Sequence, residues 1–294
     1  MPLGALPLLS LLSALAAAPR PVKPISNLGS SRRNTYIVAH QDDWQLFMGD
    51  VAVERFRKGA PATFIYLTAG DDGRDSVYWQ TRERAALASV RVASGTAIAR
   101  SDSTQCRPVV VMKHTMRRCV LGNTESYFLR LPDGQRNGSG FSRHNNQSLR
   151  RLRVRKISAI TAVDGSATYQ GWNDFVSTVA ELVSSDSGQS AQVHTTDPSV
   201  VVNPHDHFDH RIAGLLVAEL RKNRSLDVRY YVGYALGTRA PNRSNAQARD
   251  KTEVFLAYDQ EMMRGNRKWS AYSEHPRFYT ECMMRTYVRT PREQ

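Results

Sequence analysis

The alternation of short apolar runs with segments of helical periodicity constrains this chain more than any other feature. Thr35-Tyr36-Ile37-Val38-Ala39 is β-branched and aromatic, the character of a buried strand. Leu46, Phe47, Val51, Val53 and Phe56 then recur at helical spacing until Gly59-Ala60-Pro61 stops them. Ala62-Thr63-Phe64-Ile65-Tyr66-Leu67 reads as a second strand, and residues 81–99 begin as a strong helix former. This β–α–β–α order predicts an α/β fold: a Rossmann-like, mainly parallel sheet with helices on both faces. Further strands are expected at 108–112, 200–204 and 228–232, and helices at 174–184, around Ile212 to Leu220, and at 250–264. Residues 134–149 are polar and rich in Gly, Asn and Ser, a surface loop at the rim of a cleft. With no internal repeat and no linker, 19–294 is expected to form a single domain.

In sheets of this kind ligands bind beyond the carboxyl ends of the strands. Two such junctions are loaded with metal-capable side chains: His40-Gln41-Asp42-Asp43, and His207-Phe208-Asp209-His210 preceded by His205. A hydrolytic zinc takes three protein ligands and leaves one position open, with a carboxylate nearby to handle a proton. A His-x-x-Asp turn offers a ligand at each end with a second carboxylate beside it. His-x-x-His at a helix start sets two imidazoles about one turn apart on one face. The competing reading has Asp42 or Asp43 capping one helix and Asp209 the next; caps, however, do not require histidines at both places. The Cys-x-x-Cys and Cys/His-finger spacings do not occur, so a metal site here must be built from His and carboxylates.

Ala39-His40-Gln41-Asp42-Asp43 resembles the Ala-His-Pro-Asp-Asp signature of the PIG-L (LmbE-like) zinc-dependent de-N-acetylases, and His207-Phe208-Asp209-His210 resembles their His-Pro-Asp-His motif. Leu67-Thr68-Ala69-Gly70-Asp71-Asp72-Gly73 is similar to the family's Thr-x-Gly-x-x-Gly loop, Leu131-Pro132-Asp133-Gly134 to its Leu-Pro-Asp-Gly segment, and Lys251 with Tyr258 to its late Lys…Tyr pattern. The resemblance implies one Zn²⁺ held by His40, Asp43 and His210, although His/Asp ligation tolerates other divalent ions. It implies Asp42 as general base, His207 as oxyanion stabiliser or acid, and Asp209 as the group that orients a histidine. The implied reaction is removal of the acetyl group from an N-acetylated sugar, an N-acetylglucosaminyl group on a glycan, lipid or secondary metabolite. Two departures stand out: Gln41 replaces the usual Pro, and Trp44 replaces the usual acidic residue, which suggests an aromatic wall for sugar stacking. Asp72, Arg74 and Arg82, in or after the second cleft loop, are candidates to hold substrate hydroxyls or phosphates. His205 has no counterpart in the family pattern and is expected to be exposed or hydrogen-bonded. An amidase acting on another conjugate, or a catalytically silent carbohydrate- or lipid-binding relative, are the competing functions.

Forty Lys and Arg against 27 Asp and Glu give the 294-residue chain a formal charge of +13, a bias toward anionic partners such as an anionic carrier of the substrate. The densest basic run, residues 150–156, lies in no recognisable nucleic-acid module, and no nucleic acid is expected. The first 18 residues are apolar and uncharged, with small residues at Ala14-Leu15-Ala16 or Ala16-Ala17-Ala18, the pattern of a secretory signal peptide. A secreted or periplasmic, cell-envelope location is expected, with no transmembrane span after the leader, since no later apolar stretch reaches about 18 residues. Three cysteines, Cys106, Cys119 and Cys282, permit one disulfide at most and leave open whether Cys106 and Cys119 pair.

Overall fold

The computed structural model describes residues 32–95, 104–184 and 192–291; the leader, residues 1–18, lies outside the described residues. In chain order the elements begin with β1 (Asn34–Val38), α1 (Asp43–Arg57), β2 (Ala62–Thr68) and α2 (Ser76–Ala93). A meander follows: β3 (Gln105–Val111), β4 (His114–Leu121) and β5 (Thr124–Leu131). Then come α3 (Leu149–Arg153), the hairpin of β6 (Ala159–Thr161) and β7 (Thr168–Gln170), and α4 (Gly171–Ser184). The chain continues through β8 (Gln192–Thr196), α5 (Phe208–Lys222) and β9 (Asp227–Tyr231). It closes with α6 (Asn245–Gly265), α7 (Ala271–Glu274), α8 (Pro276–Met283) and β10 (Val288–Arg289).

Eight strands form one sheet in the order β10-β9-β8-β1-β2-β5-β4-β3. The run from β9 through β8, β1 and β2 to β5 is parallel; β3, β4 and β10 add antiparallel edges. Every residue of β1 and β2 is buried, because helices cover both sheet faces and strand residues alternate between them. Tyr36 and Val38 pack on one side with α1 and α6; Ile37 packs on the other with α4 and α5. The chain moves outward from β1 to β2 on one side and reaches β8 on the other, so the strand order reverses between β1 and β8. That reversal opens a crevice at their carboxyl ends.

One expected strand is absent. Residues 200–204 form a turn, with Val201 86% exposed, and the strand beside β1 is the more polar Gln192–Thr196. Its histidine has partners on both ring nitrogens: His194 Nδ1 lies 2.8 Å from the Tyr231 hydroxyl and Nε2 3.1 Å from Asn34 Oδ1. A buried polar strand is stable when such bonds are made. The expected third strand runs from Gln105 to Val111 and is an exposed antiparallel edge, clasped to β4 by a disulfide between the directly opposed Cys106 and Cys119. Cys282 is a buried free thiol.

Candidate metal centre and active site

β1 ends at Val38 and the chain turns through His40 to Asp42 before α1 starts at Asp43. Asp43 Oδ2 accepts the His40 backbone N–H at 2.9 Å, which curls the turn and brings both side chains over the strand end. Asp42 occupies the N-cap position of α1 but makes no side-chain cap bond, so capping does not account for it. Across the crevice, α5 is capped by His207, whose Nδ1 accepts the Asp209 N–H at 3.2 Å. Asp209 is free to point inward, and its Oδ2 accepts the Gly134 N–H at 2.7 Å. A Cβ on Gly134 would meet Asp209 Oδ1 at 2.5 Å, so the Leu131–Gly134 segment can approach only with glycine there.

His40 Nδ1 lies 3.1 Å from His210 Nε2 and 3.6 Å from Asp43 Oδ1, and His210 Nε2 lies 3.0 Å from Asp43 Oδ1. All three side chains are buried. Ligands about 2.0–2.1 Å from a tetrahedral zinc stand roughly 3.3 Å from one another, and the three atoms bracket that separation. Burial disfavours a charged His40, but Asp43, Asp133 and Asp209 outweigh it and hold its pKa well above the usual histidine range. Burial likewise opposes charge on His210, yet Asp43 and Asp206 push its pKa up to about 10. Despite its own burial, Asp43 is held well below the carboxylate range by the two rings. Lone pairs converging on one point demand positive charge there, and a divalent cation meets that demand with neutral rings. The donor set fits such an ion.

A second layer surrounds these donors. Asp206 Oδ1 lies 3.0 Å from His210 Nδ1 and fixes that ring with Nε2 facing inward. His40 Nε2 faces Asp133 Oδ2 at 3.4 Å and Asp209 Oδ2 at 3.7 Å. Burial and the neighbouring His40 charge lower the His207 pKa to about 4. With Nδ1 accepting from Asp209, neutral His207 carries its proton on Nε2 and donates from there. Asp42 Oδ1 pairs with Arg82 Nη2, and Arg82 Nη1 also donates to the Gly70 carbonyl at 3.0 Å.

The family model described as PIG-L, GlcNAc-PI de-N-acetylase, matches residues 35–220, a span that contains both histidine clusters. The chain belongs to the PIG-L family. Among curated proteins no sequence matches significantly. Among solved structures, the N,N'-diacetylchitobiose deacetylase from Pyrococcus horikoshii complexed with its inhibitor MPG is similar with a TM-score of 0.50 at 15% identity, covering 89% of this chain and 84% of that one. A deacetylase triple mutant of the teicoplanin biosynthetic pathway aligns at a TM-score of 0.49 and 10% identity, over 90% of this chain and 100% of its own. At 15% identity the likeness to the chitobiose deacetylase concerns the fold alone.

Within this PIG-L fold, several expected residues stand differently from the sequence reading. Trp44 is fully buried, packs on Phe64 at 5.0 Å and donates its Nε1–H to the Tyr66 hydroxyl at 3.0 Å. It is a core residue and cannot stack on a sugar. Arg82 is not a free substrate ligand either: it is nearly buried and its guanidinium is committed to Asp42 and Gly70. Asp72 and Arg74 do lie at the exposed rim, where Arg74 pairs with Asp72 at 3.2 Å and stands 4.4 Å over the Tyr78 ring. His205 is exposed and belongs to neither donor group. Lys251 is a buried strut whose Nζ donates to the Cys282 carbonyl at 2.9 Å and to Thr286 Oγ1 at 3.1 Å. Gln41, standing where the family has Pro, ties the turn to β2 by donating to the Thr68 carbonyl at 2.8 Å.

The sequence reading missed the roles of Asp133 and Asp206. Asp133 had a signal in the Leu-Pro-Asp-Gly segment, at the end of the strand pairing with β2. Asp206 stands just before the N-cap of α5, outside the helix, where its Oδ1 reaches His210 Nδ1 at 3.0 Å; no spacing in the sequence marks it.

Proposed function

We propose that this protein is a zinc-dependent N-deacetylase that releases acetate and a free amine from an N-acetylated sugar, an N-acetylglucosaminyl group on a glycan, lipid or secondary metabolite. The observation that carries the reading is the mutual 3.0–3.6 Å spacing of His40 Nδ1, Asp43 Oδ1 and His210 Nε2, with the Asp42 carboxylate on the same turn. The family's description as a GlcNAc-PI de-N-acetylase supports the sugar amide as substrate.

His40, Asp43 and His210 would hold the ion, which when bound supplies Lewis acidity to an amide carbonyl and lowers the pKa of water. Asp42 takes the proton from the attacking water and returns it to the leaving amine as the C–N bond breaks. Arg82 holds that carboxylate in one orientation, so proton transfer needs no rotamer search. Neutral His207 donates from Nε2 to the oxyanion that develops on the carbonyl carbon's oxygen. Asp209 acts on two histidines: its N–H fixes the His207 tautomer, and its carboxylate faces His40 Nε2.

The apolar leader and the Cys106–Cys119 bridge support an exported protein, because disulfides persist in oxidising compartments. Among the described residues no helix is long and apolar enough to cross a membrane. The charge of +13 favours an anionic carrier for the sugar.

The test is metal content together with acetate release from a panel of N-acetylglucosamine derivatives, comparing the natural protein with Asp42→Ala. About one zinc per chain and acetate from the natural protein alone are expected. Release of a larger acid in place of acetate would move the reading to another amide, and failure to take up metal would leave a binding protein.

A further inference from the structure

About 14 Å along α5 from His210, taking nine residues at 1.5 Å rise, Glu219 forms part of a groove that the active-site reading does not use. Its volume is about 610 Å³, and it lies between the end of α3 and the start of α4. One wall carries Arg153, Arg155 and Lys156, all exposed; Arg155 adopts φ +57°, which turns the chain sharply and spreads the three cations along the groove. Among the described residues, Arg155 and Lys156 form no ion pair with a carboxylate. The facing wall is Trp172. Its Nε1–H donates to Glu219 Oε2 at 2.9 Å, so the half-buried indole is fixed, and the Arg153 guanidinium stands 5.8 Å from its ring.

These features have a joint chemical meaning. A run of unpaired cations attracts a polyanion but has no preference among anions. The half-buried Trp172 ring, with Phe175 at 5.3 Å and the Arg153 guanidinium at 5.8 Å, offers its remaining apolar surface to the apolar face of a pyranose ring, which inorganic anions lack. Glu219 keeps its negative charge but is turned to the indole N–H, and the three cations of the facing wall outnumber it. Together they select a molecule that is both saccharide and anion. Helix α5 runs from its cap His207 at the active site to Glu219 in the groove; the nine residues from His210 make about two and a half turns, so Glu219 lies on the face opposite that ring and a glycan joining the two sites wraps around the helix.

We propose that this groove is a second binding site, an exosite for the anionic stretch of a carboxylate- or phosphate-bearing N-acetylated glycan whose acetamido group is presented to the metal centre. The choice of an N-acetylated glycan rests on the deacetylase reading; the anionic, sugar-stacking character of the groove does not.

The test measures binding without turnover. Asp42→Asn protein is titrated by calorimetry with a hyaluronan hexasaccharide, which alternates N-acetylglucosamine with glucuronate, with neutral chitohexaose, and with inorganic polyphosphate. Hyaluronan should bind more tightly than chitohexaose, and its advantage should shrink as salt rises from ~0.1 to ~1 M and the screening length falls from about 10 to 3 Å. Replacing Arg153, Arg155 and Lys156 together by Ala should weaken hyaluronan about tenfold, the combined effect of three exposed ion pairs. Trp172→Ala should weaken both saccharides while leaving polyphosphate unchanged. Equal affinity for the charged and neutral glycans, or tighter binding of polyphosphate that is insensitive to Trp172→Ala, would overturn the exosite. Metal uptake and acetate release by the natural protein on small substrates are read in parallel, so a failed exosite and a failed deacetylase give different results.

Discussion

Replacing Asp206 probes the metal centre without touching a donor atom. Its Oδ1 sits 3.0 Å from His210 Nδ1, and the carboxylate also accepts the His207 backbone N–H at 2.9 Å. Gly233 keeps it there: a Cβ at that position would meet Asp206 Oδ2 at 2.2 Å. The charged carboxylate makes the opposite His210 nitrogen a better donor and fixes the ring's tautomer, and losing such a partner costs about 10–100-fold in metal affinity. Asp206→Asn keeps an acceptor for the ring N–H but removes the charge, so the lower end, about tenfold or ~1.4 kcal/mol, is expected. Asp206→Ala removes both. The adjoining cavity of about 190 Å³, lined by Asp197, Asn203 and Phe208, admits water to take over the ring N–H, which bounds the loss near 100-fold. Competition for zinc against a chelating dye reads both constants directly. If both variants bind zinc within twofold of the natural protein, His210 is not oriented by Asp206 and the assignment of Nε2 as the inward donor is wrong.

Three further outcomes follow from the fold. Trp44→Ala should cost about 3–5 kcal/mol in denaturant unfolding, the penalty for emptying a large core site, and Trp44→Phe should bind neutral N-acetylated sugars as the natural protein does; a selective loss of sugar binding with unchanged stability would restore the stacking role. Cys106→Ser with Cys119→Ser should lower stability by about 3 kcal/mol, since the bridge closes a loop of 13 residues. Zinc affinity should be unchanged, because the β3–β4 edge lies three strands from β1. Burial lowers the His194 pKa to about 3. The unfolded chain, near 6.5, therefore binds the extra proton first, and stability is full above about pH 6.5 and lost as the pH falls toward 3. His194→Gln should flatten unfolding free energy across that window; an unchanged slope would place the acid sensitivity elsewhere.

The central fold and its first cluster were legible because both obey short-range rules. Residues 35–39 and 62–67 are continuous apolar runs, as strands buried on both faces must be, and the His40–Asp43 turn follows directly from the first of them. The stretch at 200–204 misled for a physical reason: three valines imitate a strand, but the pairing beside β1 was won by Gln192–Thr196, whose His194 and Thr196 side chains find buried partners. Local composition cannot report such long-range satisfaction. Trp44 was misplaced because the residue after a site turn faces inward as soon as α1 begins, and the sequence does not show which face Tyr66 occupies. Arg82 was read as a substrate ligand because its partner, Asp42, lies 40 residues away in sequence. Asp133 and Asp206 belong to a layer that supports histidines, and their roles emerge only when three strand ends and a helix start meet in space.

X-ray absorption at the zinc edge of the zinc-loaded protein reads out whether His40, Asp43 and His210 form one metal centre. Nitrogen and oxygen neighbours at about 2.0–2.1 Å, the outer-shell signature of two imidazoles, and the loss of one imidazole in His210→Ala are expected. A sulfur neighbour near 2.3 Å, or a first shell unchanged in His210→Ala, would contradict it.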